Sequence, residues 1–232
     1  MQVHTSPIRR ALGESSWLRL SHVLQPQCTR PRVGTDDCYT IVGWAHVSHS
    51  YPGKLFVYPA ALIGALVPYQ GVNIPATVRF HARKQYPFTA FWLRTLHFPN
   101  CGRPWIFETS AEFVGPQRVN EFIRFGVGVA VTLDVSQDGQ TYTCRSTGVF
   151  WRPFRFFKTL PQWEIPLPGR WLMGDVVVTQ TTVVDRQRTT PGPPPSAVVG
   201  SEPFDVSFVV THPLFGETLR IGGRYWPQKE IL

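Results

Sequence analysis

Residues 118–151 read RVNEFIRFGVGVAVTLDVSQDGQTYTCRSTGVFW, and the alternation in this stretch decides the fold class. Val119, Glu121, Ile123, Phe125 and Val127 share one parity, with Asn120, Phe122, Arg124 and Gly126 on the other. Val129, Val131, Leu133 and Val135 continue with an apolar residue at every second position. Ser136-Gln137-Asp138-Gly139-Gln140 then supplies a turn, and Tyr142 to Phe150 returns in β-rich composition. A period of two interrupted by an Asp-Gly turn describes antiparallel strands whose two faces differ.

Outward from that meander the chain repeats the pattern. Tyr39–Ser48, Thr77–Lys84, Phe88–Phe98 and Trp105–Phe113 read as strands upstream. Downstream, Asp175–Asp185 and Phe204–His212 read as neighbouring antiparallel strands, and Thr218–Trp226 as an edge strand. The glycines of Gly126-Val127-Gly128 read as a bulge between strand halves. Two helices are expected. Residues 7–24 have Ser6 to cap, Pro7 for the first turn, and Ile8, Leu12, Trp17, Leu20 and Leu24 sharing much of one face. Leu55–Leu66 is short and apolar, with Pro59 near its start. Thr189–Ser201 holds four prolines and reads as an exposed loop. The expected fold is mainly β: a strongly curved antiparallel sheet, or a closed or half-closed β-barrel, with one or two packed helices, residues 1–232 forming a single domain.

Composition narrows the chemistry. The formal net charge is +8, and 19 of the 23 basic residues are arginine. Arginine makes planar, bidentate contacts with carboxylate and phosphate, which mildly favours an anionic ligand; a high-GC bacterial codon preference gives the same bias. Cys28, Cys38, Cys101 and Cys144 are widely spaced, and residues 1–10 lack the apolar core of a secretory leader. Free thiols in a cytoplasmic protein are the expectation. The most apolar run, Leu55–Val67, is too short to span a bilayer. Neither a dinucleotide nor a Walker glycine motif occurs, nor a nucleophile elbow. His46 and His49, three apart on a strand, point to opposite faces. No metal and no cofactor are expected.

Three places carry candidate chemistry. On a strand Trp92, Arg94, Leu96 and Phe98 project together, and an arginine beside aromatics suits a pocket that binds a carboxylate on an apolar body. Its internal alternative is a partner among Glu108, Glu112 and Glu121. Glu121, on the apolar parity of its strand, is a candidate general acid or base or the ion-pair partner of Arg94. Phe125 and Trp151 are further candidate ligand-binding aromatics. Trp151-Arg152-Pro153-Phe154-Arg155-Phe156-Phe157-Lys158 has the composition of a single-stranded nucleic-acid surface, and equally that of a packed strand with solvated charges.

These residues also carry a family resemblance. Leu12-Gly13, Trp92-x-Arg94 with Phe98, Phe107-x-Thr109, Glu121 through Phe125-Gly126, Leu160-Pro161, Pro166-Leu167-Pro168, Phe204-Asp205-Val206 and Pro213-Leu214-x-Gly216 follow one another in order. In this the chain resembles a bacterial family known as domain-of-unknown-function family 4166, often fused to saccharopine-dehydrogenase-like, NAD-binding modules. Thr109 stands where the family usually has Ser, and Ile221 near where it has Tyr. The resemblance implies a bacterial origin and an NAD-dependent enzyme as a partner, and it carries no catalytic residue to transfer.

The functional expectation is a barrel pocket for an apolar small molecule bearing an acidic group. Its residues would be Trp92, Arg94, Phe98, Phe125 and Trp151, with Glu121 catalytic if the protein is an isomerase, cyclase or lyase. The alternatives are a non-catalytic accessory domain and, more distantly, a nucleic-acid binder. A homodimer is compatible with the sequence; specific nucleic-acid binding and a membrane span are not expected.

Overall fold

The computed structural model describes residues 6–28, 39–62, 66–83, 85–86, 88–153, 155, 163–172, 174–183 and 202–228. Helices α1 (Pro7–Arg19) and α2 (Gln25–Cys28) precede β1 (Tyr39–His49), and α3 (Lys54–Leu62) precedes β2 (Gly71–His81). Then come β3 (Thr89–Leu96), β4 (Trp105–Gly115), β5 (Arg118–Phe122), β6 (Val127–Val135) and β7 (Thr141–Trp151). The chain continues through β8 (Ile165–Leu167), α4 (Gly169–Leu172), β9 (Asp175–Thr182), β10 (Phe204–His212) and β11 (Gly216–Gln228).

The strands form one sheet in the order β6-β5-β4-β3-β2-β1-β11-β10-β9-β7-β8, and β6 also pairs with β7. That extra pairing closes a ten-stranded antiparallel barrel, with β8 as an additional strand on β7. Closure rests on β7, which pairs with β6 on one edge and with β9 on the other, the latter edge being forked. Its residues 141–145 pair with β9, while Val149, Phe150 and Trp151 pair with β8. Where the fork opens, the Val176 amide donates to Ser146 Oγ at 2.7 Å.

Antiparallel connectivity sorts the connections. β1–β2, β3–β4, β5–β6, β7–β9 and β10–β11 are joined at one end, called upper here, and the remaining strand connections lie at the lower end. Helix α1 covers the lower end against β4, β5 and β6. The Gln117 amide in the β4–β5 turn donates to the Ala11 carbonyl (2.7 Å), and the Ser21 amide to the Gly139 carbonyl in the β6–β7 turn (2.9 Å). Ser6 Oγ accepts from the Arg9 amide at the start of α1 and donates to the Cys28 carbonyl, which ties α1 to α2. Ile8, Leu12, Trp17, Leu20 and Leu24 are buried, at about 1.5–3 kcal/mol for each large apolar side chain. At the upper end α3 is held by the stack of Phe56 on His212 (4.4 Å between ring centroids) and by its tilted contact with Phe215 (5.3 Å).

Several boundaries differ from the sequence reading. The expected helix over 7–24 ends at Arg19 and is broken at Gly13, whose φ of +74° has no helical counterpart. The expected helix Leu55–Leu66 runs Lys54–Leu62 with Pro59 inside it. Strand Thr77–Lys84 begins six residues earlier, at Gly71. The stretch Thr218–Trp226 is no edge strand: β11 pairs with β10 on one side and β1 on the other, because a closed barrel has no edges there. The continuous alternation through 118–127 breaks at a 3-10 turn, Arg124–Gly126, in which Phe125 has φ +59° and Gly126 φ +75°. Gly126 is required there, since a Cβ would run into the Arg152 backbone carbonyl. The expected loop Thr189–Ser201 lies outside the described residues. No helix among the described residues is long and apolar enough to cross a membrane.

Candidate functional site

The barrel interior is not filled. A cavity of about 250 Å³ runs within it, lined by inward residues of all ten barrel strands together with Ile8, Cys28, Leu66 and Val67. That is roughly the volume of eight liquid waters. Most of the wall is aliphatic or aromatic: Ile41, Val78, Phe80, Trp92, Leu96, Phe107, Val129, Val131, Val178, Phe204, Phe208 and Tyr225 are among the lining residues.

Polar groups break this wall in two places. The first is built on β3, β4 and β5, where the registers Trp92↔Thr109, Arg94↔Phe107 and Ala111↔Glu121 bring Arg94, Thr109 and Glu121 to the same face. Arg94 Nη1 donates to Thr109 Oγ1 at 2.5 Å, and Nη2 to Glu121 Oε1 at 3.3 Å. Its guanidinium carbon lies 5.5 Å from the Trp92 ring and 5.4 Å from Phe107, within cation–π range. Two of the five guanidinium N–H donors are used in these bonds, and the salt bridge is long for a charge-assisted one. The cluster has donors to spare.

The second place is the cross-strand pair Tyr142↔Gln180 on β7 and β9. Gln180 Oε1 is buried and accepts no hydrogen bond within the protein, and the buried Tyr142 hydroxyl has no polar neighbour beyond the weakly bonding Cys144 thiol. Both residues line the cavity. A buried polar atom without a partner costs roughly 1–3 kcal/mol, so Gln180 Oε1 calls for water or a guest.

Burial disfavours the thiolate form of both cavity cysteines. Burial pushes the Cys144 thiol up to about 12, and it raises Cys28 further still. Burial likewise raises the Tyr142 phenol well above its ordinary range and Tyr225 to about 12. A nucleophilic cysteine needs its thiolate, so neither Cys28 nor Cys144 fits covalent catalysis at neutral pH. Among the described residues no three His, Cys, Asp or Glu side chains are grouped to hold a metal ion.

Of the residues singled out in the sequence, Trp92, Arg94 and Glu121 are brought together in the cavity. Phe98, Phe125 and Trp151 are not. Phe98 lies past the end of β3, buried against Tyr69 at 5.2 Å between centroids. Phe125 is 72% exposed on the outside of the β5–β6 turn, and its carbonyl accepts from the Trp151 indole at 2.9 Å. Thr109, Phe107, Tyr142, Cys144 and Gln180 enter the site without having been chosen. The one signal for Thr109 and Phe107 was their place in the family pattern; Tyr142 and Gln180 had none, since 38 residues separate them.

Of the basic aromatic stretch, residues 151–153 and 155 are among those described. Arg152 and Arg155 both engage Glu112, at 2.9 Å each, on the outside of the barrel. Their guanidinium carbons sit 4.7 Å and 3.7 Å from the Phe122 ring, and Arg152 also pairs with Glu164. Phosphate contacts would have to displace these carboxylates. Among curated proteins none matches this chain. The match that does emerge is to the family model described as Domain of unknown function (DUF4166), over residues 28–188, a span that contains Arg94, Thr109, Glu121, Tyr142 and Gln180, and the chain belongs to that family.

Proposed function

We propose that the barrel binds an apolar small molecule whose polar end meets Arg94, Thr109 and Glu121. The observation that carries this reading is the cavity itself: apolar walls, one charged cluster with unused donors, and the buried, partnerless Gln180 Oε1. Ligand sites in barrels have this make-up, mostly apolar with a few convergent polar groups. A purely accessory domain would bury its interior and needs no such space.

An acidic head group is accommodated by Arg94, but in competition with Glu121, which already neutralises the guanidinium. An alcohol or an N–H-bearing amide head needs no displacement and can accept from Arg94 while donating to Glu121; a ketone can only accept from Arg94. The head group is therefore an acid or a neutral group of that kind. Glu121 facing the cavity also supports a second reading, in which it moves a proton on the guest in an isomerisation or cyclisation. Binding comes first in either case.

The test is native mass spectrometry of the purified protein, followed by titration of stripped protein with medium-chain acids and the matching alcohols. Ala76→Leu, which puts bulk into the cavity wall, is expected to weaken binding at least tenfold while the protein still melts cooperatively. Unchanged binding in that variant would place the guest elsewhere and end the proposal.

A further inference from the structure

The exposed apolar side chains are concentrated at one end of the molecule. Of the eighteen large ones among the described residues, only Leu18, Phe88 and Val114 lie towards the lower end, where α1 covers the barrel. The other fifteen lie on the upper connections or on the strand residues adjoining them. Singly scattered exposed hydrophobics need no explanation, but a one-sided collection does.

Helix α3 is the clearest part of it. Val57, Ala60 and Ala61 face the barrel and are buried, whereas Leu55, Tyr58 and Leu62 recur at helical spacing on the opposite face and are exposed. A helix between a core and water should be polar on its outer side. Across the same end, Phe125 is held outward in a left-handed backbone conformation, a costly geometry for a bulky residue.

Charge follows the same division. Among the described residues the upper connections carry Lys54, Arg103, Arg124, Arg152, Arg155 and Arg170; Glu112 and Glu164 hold Arg152 and Arg155, and Asp175 holds Arg170, which leaves three cations. Lys54, Arg103 and Arg124 at this end are exposed and in no ion pair among the described residues.

We propose that the upper end docks on the surface of an anionic lipid bilayer, with α3 lying in the interface and Leu55, Tyr58 and Leu62 in the acyl boundary. Aromatic and aliphatic side chains edged by cations are the chemistry of that boundary. The collection is contributed by connections from around the whole barrel, which fits a plane across its axis better than one flank of a protein partner. Nothing in this assignment depends on the cavity or on what fills it.

The test is co-sedimentation of the full chain with vesicles of phosphatidylcholine alone and of phosphatidylcholine mixed with phosphatidylglycerol. The wild type is expected to pellet with the anionic vesicles and to release as salt is raised. The triple variant Leu55→Ser, Tyr58→Ser, Leu62→Ser should bind at least tenfold more weakly with an unchanged melting temperature. The lower-end pair Leu18→Ser, Val114→Ser should bind as the wild type does. If the triple variant melts early, Phe125→Ser alone takes its place, with the same direction expected. A wild type that stays in the supernatant with both vesicles overturns the proposal, as does variant binding equal to wild type. Self-association that the triple variant abolishes, without vesicle binding, assigns the surface to a second copy of this chain instead. Guest titrations use no vesicles, so failure here leaves the cavity reading standing.

Discussion

Strands β4 and β5 carry two arginine–glutamate clusters back to back, one inside the barrel and one outside. Thr109 and Glu121 face inward to Arg94, while Ser110, Glu112 and Phe122 meet Arg152 and Arg155 on the outer surface. The outer cluster is the tighter one. Arg155 makes bonds of 2.8–3.0 Å to Ser110 and Glu112, and its side chain is 7% exposed. Arg94, within the barrel, keeps 30% of its side chain accessible and reaches Glu121 at 3.3 Å. Burial lowers the proton affinity of Arg155, and Glu112 opposes that. Being outside a barrel is thus no guarantee of solvation, and being inside is no guarantee of close packing. A tightly bonded, closely packed cluster holds structure together, whereas one with longer bonds and space beside it can receive a guest.

The largest effect should come from the outer cluster. Glu112→Ala leaves two largely buried guanidinium groups without their shared carboxylate and is expected to cost about 3–5 kcal/mol in denaturant unfolding. A loss under about 1 kcal/mol would mean that solvent reaches this cluster and would remove the contrast.

Arg94→Met comes next. It strands Glu121, but that carboxylate borders a cavity and is 29% exposed, so about 1–2 kcal/mol is expected rather than the full cost of a stranded buried charge. Guest affinity should fall at least tenfold in the same variant. Stability lost without any change in guest binding would make the inner cluster as structural as the outer one.

Glu121→Gln should cost under about 1 kcal/mol. It should also raise the affinity for an acid relative to the matching alcohol, because competition for Arg94 is gone. Equal changes for both would show that Glu121 does not oppose an anionic head.

The smallest effect is one of pH. The Cys144 thiol, raised by burial from 9.0 to about 12, disfavours the thiolate in the folded state. Its contribution is therefore fully present below pH 9, and it is lost as the pH rises from there towards 12. Between pH 7 and 9 the melting temperature should have the same pH dependence in Cys144→Ala as in the wild type, and iodoacetamide should label Cys101 before Cys28 or Cys144. Early labelling of Cys144 would show the cavity open to reagent.

The β character was legible because alternation is a local property: each strand displays its two faces within its own residues. Parity carried correctly from Trp92 to Arg94 and Leu96, since all three lie in β3. It failed at Phe98, two residues beyond the strand, and at Phe125, where a positive φ turns the chain after Phe122. Parity persists only as long as the pleat does.

The sequence by itself determined an antiparallel β protein with helices at its start, the basic charge, and the family. It also narrowed the partner of Arg94 to three glutamates. Which one Arg94 meets was decided by the registers of β3, β4 and β5, which send Glu108 to Arg83 and Glu112 to Arg152 and Arg155. Closure of the barrel, the cavity inside it and the gathering of apolar residues at one end were decided in the same way. Each depends on segments far apart in the chain arriving at one place, and strand periodicity holds no information about which strands become neighbours.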